Sequence, residues 1–263
     1  MTGFGYNVNG FGAYHNREVT VTASNASSVN LQTIFTDAHP NSWLSSVVKR
    51  YIIPSDVVLG ITTVPASMGG TLIIDNSGDI QGVGGTANGG VGATAMTVQS
   101  TGVTINMLSG STLSGGGGGG GQGGTGGNGG FTTVQGSGFS SPGCVFTGAG
   151  PGDDDTFFCS TTGGSGGGGG QGQGYGQSAV NGSGGGSPSG FENGRDAGAG
   201  GAGGNGGAFG VAGANGANGA NGDITNGAAG STGGAAGRAI TFSGVSAYTI
   251  IGTDSGTING AYT

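Results

Sequence analysis

The chain has 263 residues, 72 of them glycine, which is roughly 27% against about 7% in an average protein. Only 6% of residues are charged, the net charge is −7, and the five basic residues form no cluster, which argues against nucleic acid or an anionic membrane as a partner. No apolar run approaches the ~18 residues of a membrane-spanning helix, so membrane insertion is not expected.

The first 60 residues resemble an ordinary domain in composition. Residues 17–35 alternate apolar and polar side chains in places and are rich in β-formers, which predicts two short strands. Residues 42–60 continue in this style, and Pro54 is expected to end a strand. We therefore predict a β-rich N-terminal segment over residues 1–60.

Three later segments share one plan, in which a short apolar strand, a polar turn and a second short strand end in glycine. They are TLIIDNSGDIQG (71–82), VTINMLSGSTLSG (103–115) and AYTIIGTDSGTING (247–260), and short strand patterns at 93–102 and 237–244 precede the last two. Because no such unit can bury its apolar face alone, the pattern predicts stacked rungs of a β-helix-like platform or a small sandwich. The platform comprises residues 61–113 and 238–263, and residues 114–237 form an insertion between its rungs.

The insertion contains three glycine tracts, at 115–130, 163–176 and 198–222, separated by loops at 131–162 and 177–197. In the last tract glycine occupies every third position, nine times from Gly198 to Gly222, and no proline occurs there. An extended helix with three residues per turn aligns these glycines, so that neighbouring backbones can approach and form hydrogen bonds. The pattern predicts a polyglycine-II bundle rather than collagen, with a flexible linker as the alternative.

Length adds one constraint to this bundle. At ~3.1 Å per residue the last tract would be longer than a compact domain, so we expect it to turn back near Ala208–Val211. The predicted fold is mostly β and polyglycine-II with almost no α-helix.

The order of these segments resembles a known group of proteins. VNLQTIFTDAHPNSWLSSVVKRYIIPSDVVLG (29–60), TLIIDNSGDIQGVGG (71–85), the glycine tracts and the closing AGRAITFSG (236–244) resemble glycine-rich receptor-binding proteins of bacteriophage tails. The similarity is to the distal-tip adhesins of T-even-like phages and to the glycine-rich end of siphophage host-specificity tail-tip proteins. It implies a virion protein at the tail or fibre tip, assembled in the host cytoplasm and exposed after lysis.

The resemblance also implies two partners. The N-terminal segment would attach to another phage tail or fibre protein, and the loops between glycine tracts would contact a bacterial outer-membrane protein or surface glycan. The alternatives are a structural virion component, such as a fibre joint or decoration protein, and an ice-binding protein. Aromatic loops favour the adhesin, because neither alternative needs them.

The candidate receptor-binding residues lie in the loops and the adjoining tract. They are Phe139, Phe146, Asp153, Asp154, Asp155, Phe157, Phe158, Tyr175, Phe191, Glu192 and Arg195. The alternative for the phenylalanines is burial in a small core around the cysteine pair, and Glu192 and Arg195 could equally form an exposed ion pair.

The remaining chemistry-bearing residues are few. Cys144 and Cys159 are the only cysteines and have no neighbours at zinc-ligand spacing, so a disulfide is expected. Asp153–Asp155 is a weak candidate for binding Ca²⁺, with a solvated acidic loop as the stronger alternative. Neither His15 nor His39 stands near a nucleophile motif, so we expect no enzyme activity and no cofactor.

Overall fold

A computed structural model of the protein describes residues 18–40, 47–136, 140–149, 154–190, 192, 194–246, 248–252 and 255–262. These residues contain one α-helix, α1 (Leu31–Ala38), so the predicted mostly β fold is confirmed. The strands are β1 (Glu18–Thr22), β2 (Ala26–Asn30), β3 (Val48–Ile53), β4 (Val58–Val64), β5 (Leu72–Asn76), β6 (Asp79–Gln81), β7 (Met96–Val98), β8 (Val103–Met107), β9 (Thr112–Ser114), β10 (Gly129–Gly136), β11 (Cys144–Ala149), β12 (Asp154–Thr162), β13 (Ser189–Gly190), β14 (Ile240–Phe242), β15 (Tyr248–Ile251) and β16 (Thr257–Asn259).

The chain divides into two compact units. The rung unit comprises the residues up to Gly82, Thr94–Ser114 and the segment from Arg238 onward. The glycine unit comprises Val83–Ala93 and Gly115–Gly237. The sequence analysis gives residues 61–113 to the platform and 114–237 to the insertion, whereas in this division residues 83–93 belong to the glycine unit.

The rung unit consists of two parallel sheets. One sheet has the order β1-β3-β5-β8-β15, and the other has the order β14-β7-β4-β6-β9-β16, with β2 also paired to β4. The three segments that share a plan each contribute one strand to each sheet and stack as neighbours in chain order, whereas β7 and β14 add strands to the second sheet alone. Because β3 and β4 pair with β5, β6 and β7, the boundary drawn at residue 60 does not separate two folding units.

The core of the rung unit is formed by alternate strand residues that point inward. In β5 and β8 these include Leu72, Ile74, Val103 and Ile105, all of which are buried. The register places Leu72 beside Val103 and Ile74 beside Ile105, so successive rungs stack their apolar side chains in columns. Burial of each such side chain contributes about 1.5–3 kcal/mol, which is how units too short to fold alone stabilise one another.

Helix α1 differs from the sequence prediction, which placed a strand through Phe35. The side chain of Asn30 caps the helix, because its Oδ1 accepts hydrogen bonds from the backbone N–H groups of Gln32 (3.0 Å) and Thr33 (3.3 Å). Leu31 and Phe35, four residues apart, lie on one face of the helix and are fully buried. The N-cap and this helical spacing outweigh the β-propensity of the segment.

The glycine unit is held together by hydrogen bonds between backbones. Within the tract 116–127, successive N–H groups donate to different neighbouring segments, and the same neighbour recurs every third residue. One set of N–H groups donates to carbonyl oxygens of the segment 164–173, in the pairs Gly117–Gln173, Gly120–Gly170, Gly123–Gly167 and Gly126–Gly164. The next set donates to the segment 211–220, in the pairs Gly118–Val211, Gly121–Ala214, Gly124–Ala217 and Gly127–Ala220. A Cβ at Gly123 would lie 2.0 Å from the carbonyl oxygen of Gly201, so only glycine permits this approach.

The last tract turns where we predicted. The N–H of Val211 donates to the carbonyl oxygen of Ala208 (3.0 Å), and Gly210 has a φ of 66°. Beyond this turn the chain runs antiparallel to itself, since Ala214 donates to Asn205. The segment 180–186, predicted as part of a loop, instead joins the lattice through hydrogen bonds of Val180, Ser183 and Gly186 to the tract 163–176.

Asparagine side chains complete the lattice in the repeat GANGANGANG (213–222). Their Oδ1 atoms accept hydrogen bonds, each 3.0 Å long, in the pairs Asn215–Gly233, Asn218–Gly230 and Asn221–Gly227. In each pair the glycine N–H is the donor. The asparagines of this repeat therefore replace backbone acceptors, a role that the sequence pattern did not indicate.

Candidate functional site

The candidate site is a small antiparallel sheet, β10-β12-β11, to which β13 adds two residues beside β12. Strand β10 continues the glycine tract that ends at Asn128, and β12 leads into the tract that begins at Gly163. Gly126, Gly164 and Gly198 are hydrogen-bonded neighbours through these tracts, so the sheet lies at their common end of the lattice. We call it the end sheet; its main strands are β10, β11 and β12.

The two faces of the end sheet differ in exposure. Cross-strand register places Thr132, Phe158 and Val145 side by side on one face, which we call the open face. The next register position places Thr133, Phe157 and Phe146 together on the opposite face, which we call the covered face. Phe157 on the covered face is buried, whereas Phe158 on the open face is 37% exposed.

A disulfide links two strands on the covered face. Cys144 and Cys159 are cross-strand partners, and their sulfur atoms are bonded. Cys159 is fully buried beside Phe157, and the ring of Phe146 meets that of Phe157 edge-on with the centroids 5.8 Å apart. Phe146 is nevertheless 55% exposed, because β11 is the outer strand.

Arg195 covers part of the same face. Its guanidinium lies 4.6 Å from the centroid of the Phe131 ring, a cation–π distance. Its backbone carbonyl accepts a hydrogen bond from Oγ1 of Thr161 (2.6 Å), and its side chain pairs with Glu192 at 3.1 Å and Asp196 at 3.5 Å. Arg195 and Glu192 therefore form the exposed ion pair that was the alternative to receptor contact, with side chains 54% and 47% exposed, and the Arg195 contacts attach this segment to the end sheet.

The open face is exposed and carries both apolar and hydroxyl side chains. Val134, Val145 and Phe158 are exposed there beside Thr132 and Ser160, which are also exposed. A Cβ added to Gly130 would meet both Cδ1 of Ile224 and Cζ of Phe158 at 2.6 Å, so these two side chains lie together above that glycine. Val134 and Val145 thus add aliphatic surface to this face, although only the aromatic residues stood out from the sequence.

The remaining predicted residues are distributed unevenly. Asp154 and Asp155 are the first residues of β12, the central strand of the end sheet, while Phe139, Asp153 and Phe191 lie outside the described residues. Tyr175 lies in the turn between Gly174 and Gln177, at the opposite end of the glycine lattice from the end sheet. It therefore cannot share a contact surface with Phe146 or Phe158.

Two further kinds of site are absent from the part of the chain that the structure describes. No group of three or more His, Cys, Asp or Glu side chains there could hold a metal ion. No helix there is long and apolar enough to cross a membrane.

Comparison with known proteins gives a family. Residues 16–152, just over half of the chain, match the family model described as phage tail fibre adhesin Gp38. Among solved structures, the chain is similar to the gp37-gp38 adhesin tip complex of the bacteriophage S16 long tail fiber, with 18% sequence identity and a TM-score of 0.44. That match covers 94% of this chain and 82% of the other. No curated protein sequence matches the chain.

Proposed function

Because the chain belongs to the Gp38 family of phage tail fibre adhesins, we propose that it is the receptor-binding protein at the tip of a tail fibre and determines adsorption and host range. It binds a bacterial outer-membrane protein or surface glycan and acts by binding rather than by catalysis. The observation that carries the proposal is the cluster of exposed apolar side chains, Val134, Val145 and Phe158, on the open face of the end sheet. Exposed apolar patches on a folded protein mark interaction sites, and aromatic anchors are common at their centres.

The contact surface consists of the open face and the outer strand. Phe158, Val145 and Phe146 supply apolar area to this surface. Asp154 and Asp155 supply acidic groups at the start of β12. The disulfide and the Arg195 contacts hold the opposite face, so the strands are ordered before binding. Ordering before binding lowers the entropy cost of association.

The glycine tracts are polyglycine-II helices in this proposal. The recurrence of each hydrogen-bonded neighbour every third residue supports this, since such a helix has three residues per turn and no internal hydrogen bonds. The lattice takes the place of an apolar core and gives the end sheet a rigid base. Its own exposed residues are not required for receptor contact.

The rung unit attaches the protein to another fibre protein. Family membership places the chain on a tail fibre, which requires one attachment surface besides the receptor surface. The end sheet belongs to the glycine unit, so the rung unit is left for this role. The protein is then assembled in the host cytoplasm and carried outside on the virion.

Direct binding to cells tests the proposal. Fluorescently labelled protein should bind a susceptible strain, and Phe146→Ser combined with Phe158→Ser should lower that binding at least tenfold. The matched control is Val211→Ser, which removes an apolar side chain that is 53% exposed at the opposite end of the lattice. A double variant that binds as well as the control would contradict this contact surface, and wild-type protein that binds no susceptible strain would favour a structural virion component.

A further inference from the structure

The apolar core of the rung unit is closed at its first rung. Val19 of β1 and Val29 of β2 point inward and are buried. Helix α1 packs against both strands and buries Leu31 and Phe35 completely. This end of the stack therefore exposes little apolar surface.

The core is not closed at the last rung. Tyr248 and Ile250 of β15 occupy the inward positions that Val103 and Ile105 fill on β8. Both residues of β8 are buried, whereas Tyr248 is 41% exposed and Ile250 is only partly buried. Ile258 of β16 is likewise only partly buried.

The backbone of β15 is also open along one side. The N–H of Leu72 donates to the carbonyl oxygen of Gly102, so the even-numbered residues of β8 face β5 and the odd-numbered ones face β15. Bonding direction alternates along a strand, so Thr249 bonds toward β8 while Tyr248 and Ile250 direct their N–H and C=O groups away from it. Among the described residues, no strand pairs with that side of β15.

This open edge lacks the usual protection of edge strands. Natural edges carry charges, proline or bulges that prevent pairing with another chain. The opposite edge, β1, exposes Glu18, Thr20 and Thr22. Strand β15 reads YTII and has no charge, no proline and no irregularity in its register with β8.

We propose that the last rung is the attachment surface for the tail-fibre polypeptide, which adds an extended strand to β15 and covers Tyr248, Ile250 and Ile258 with apolar side chains. The occupant is a strand because only a strand satisfies successive edge N–H and C=O groups. The side chains of this added strand are apolar because Tyr248, Ile250 and Ile258, which it covers, continue the buried apolar columns of the core. It comes from the fibre because the family is that of tail fibre adhesins, so the inference rests on the proposed function.

The test uses phage particles assembled without this protein, in a host that carries a phage genome with the gene disrupted. Purified variants are added, the particles are sedimented, and the bound adhesin is quantified by immunoblot. Ile250→Pro removes an edge N–H without touching a bond to β8, and it should lower incorporation at least tenfold. The matched control is Thr22→Pro on β1, because the N–H of Ala23 bonds to β3 and that of Thr22 faces the opposite edge.

A second variant covers the case in which proline disturbs the fold. Tyr248→Asp leaves the backbone intact and places a charge at the open end, and it should lower incorporation to a similar degree. Incorporation of both variants at the wild-type level would overturn the proposal. A wild-type dimer in solution that Ile250→Pro converts to a monomer would also overturn it, since a second copy would then be the occupant.

Cell binding separates this inference from the proposed function. Purified Ile250→Pro should bind susceptible cells as well as the wild type, because the end sheet belongs to the other unit. Loss of incorporation with retained cell binding supports the attachment surface. Wild-type protein that joins particles but binds no cells would contradict the proposed function and leave the attachment result standing.

Discussion

Phe157 and Phe158 follow one another in β12 but lie on opposite faces of the end sheet, the first buried and the second exposed. Strand geometry requires this alternation, because successive side chains point to opposite faces. The same residue type therefore has two roles at adjacent positions. The first stabilises the sheet and the second contributes to the proposed contact surface.

Substitution of each phenylalanine should separate these roles. Phe157→Ala removes a buried ring and should destabilise the end sheet by about 3 kcal/mol, so that proteases cleave within residues 129–162 much faster. Phe158→Ala should leave protease resistance close to wild type and lower cell binding. The assignment of faces would be wrong if the two variants exchanged these effects.

Reduction of the disulfide should loosen the end sheet alone. Cys144 and Cys159 are 15 residues apart, and closing a loop of this length stabilises a fold by about 3 kcal/mol in the chain-entropy description. Dithiothreitol should therefore expose residues 129–162 to proteolysis and weaken cell binding, while the rung unit keeps its melting temperature. Cys144→Ser with Cys159→Ser should reproduce the effect without reductant. An end sheet equally resistant in both redox states would contradict the structural role of the bond.

The glycine lattice predicts a sharp difference between two glycine-to-alanine changes. A methyl group at Gly123 would lie 2.0 Å from a carbonyl oxygen, whereas one at Gly184 would meet no atom within 4 Å. Gly123→Ala should lower the melting temperature of the glycine unit by many degrees, because a backbone contact must break. Gly184→Ala should be neutral or stabilise by about 0.5 kcal/mol, since it restricts the unfolded chain. Equal melting temperatures for the two variants would exclude close backbone packing at Gly123.

The asparagine repeat predicts a smaller effect. Asn218→Ala leaves the N–H of Gly230 without its acceptor and should cost about 1 kcal/mol. Asn226→Ala is the control, since no described residue forms a hydrogen bond with that side chain. Thermal unfolding of both variants gives the comparison, and equal stability would remove the structural role of Asn218.

The rung unit should lose stability in alkaline solution. Burial raises the pKa of Tyr51 to about 12 from a usual value of 10.0. Because the pKa of Tyr51 is higher in the folded state than in the unfolded state, its contribution to the free energy of unfolding is complete below pH 10. That contribution is lost as the pH rises from about 10 to 12. Between pH 9 and 11 the wild type should lose about 1 kcal/mol more than Tyr51→Phe, measured by urea unfolding. Identical losses would show that Tyr51 ionises as freely in the folded state as in the unfolded one.

Much of the rung unit could be predicted because its information is local. Each of these segments repeats a strand, turn and strand within a dozen or so residues, so 71–82, 103–115 and 247–260 could be identified as rungs from pattern alone. Helix α1 was missed because β-branched residues on either side outweighed the Asn30 cap in that assessment. The cap and the apolar spacing of Leu31 and Phe35 were present in the sequence.

The candidate site was less predictable because it depends on partners distant in sequence. The period of three indicated a lattice, but nothing local showed that residues 83–93 and 180–186 join it. Arg195 stood out as a charge in a loop, whereas its position above Phe131 follows only from pairing of the tracts between them. Tyr175 was placed at the opposite end of the lattice by the same pairing.

Competition for adsorption tests the central claim most directly. Host cells are incubated with purified protein and then challenged with the phage that carries it, and free phage is counted. We predict that wild-type protein and Val211→Ser block adsorption at the same concentration, while Phe146→Ser combined with Phe158→Ser requires at least ten times more. Undiminished adsorption in the presence of saturating wild-type protein would contradict the account.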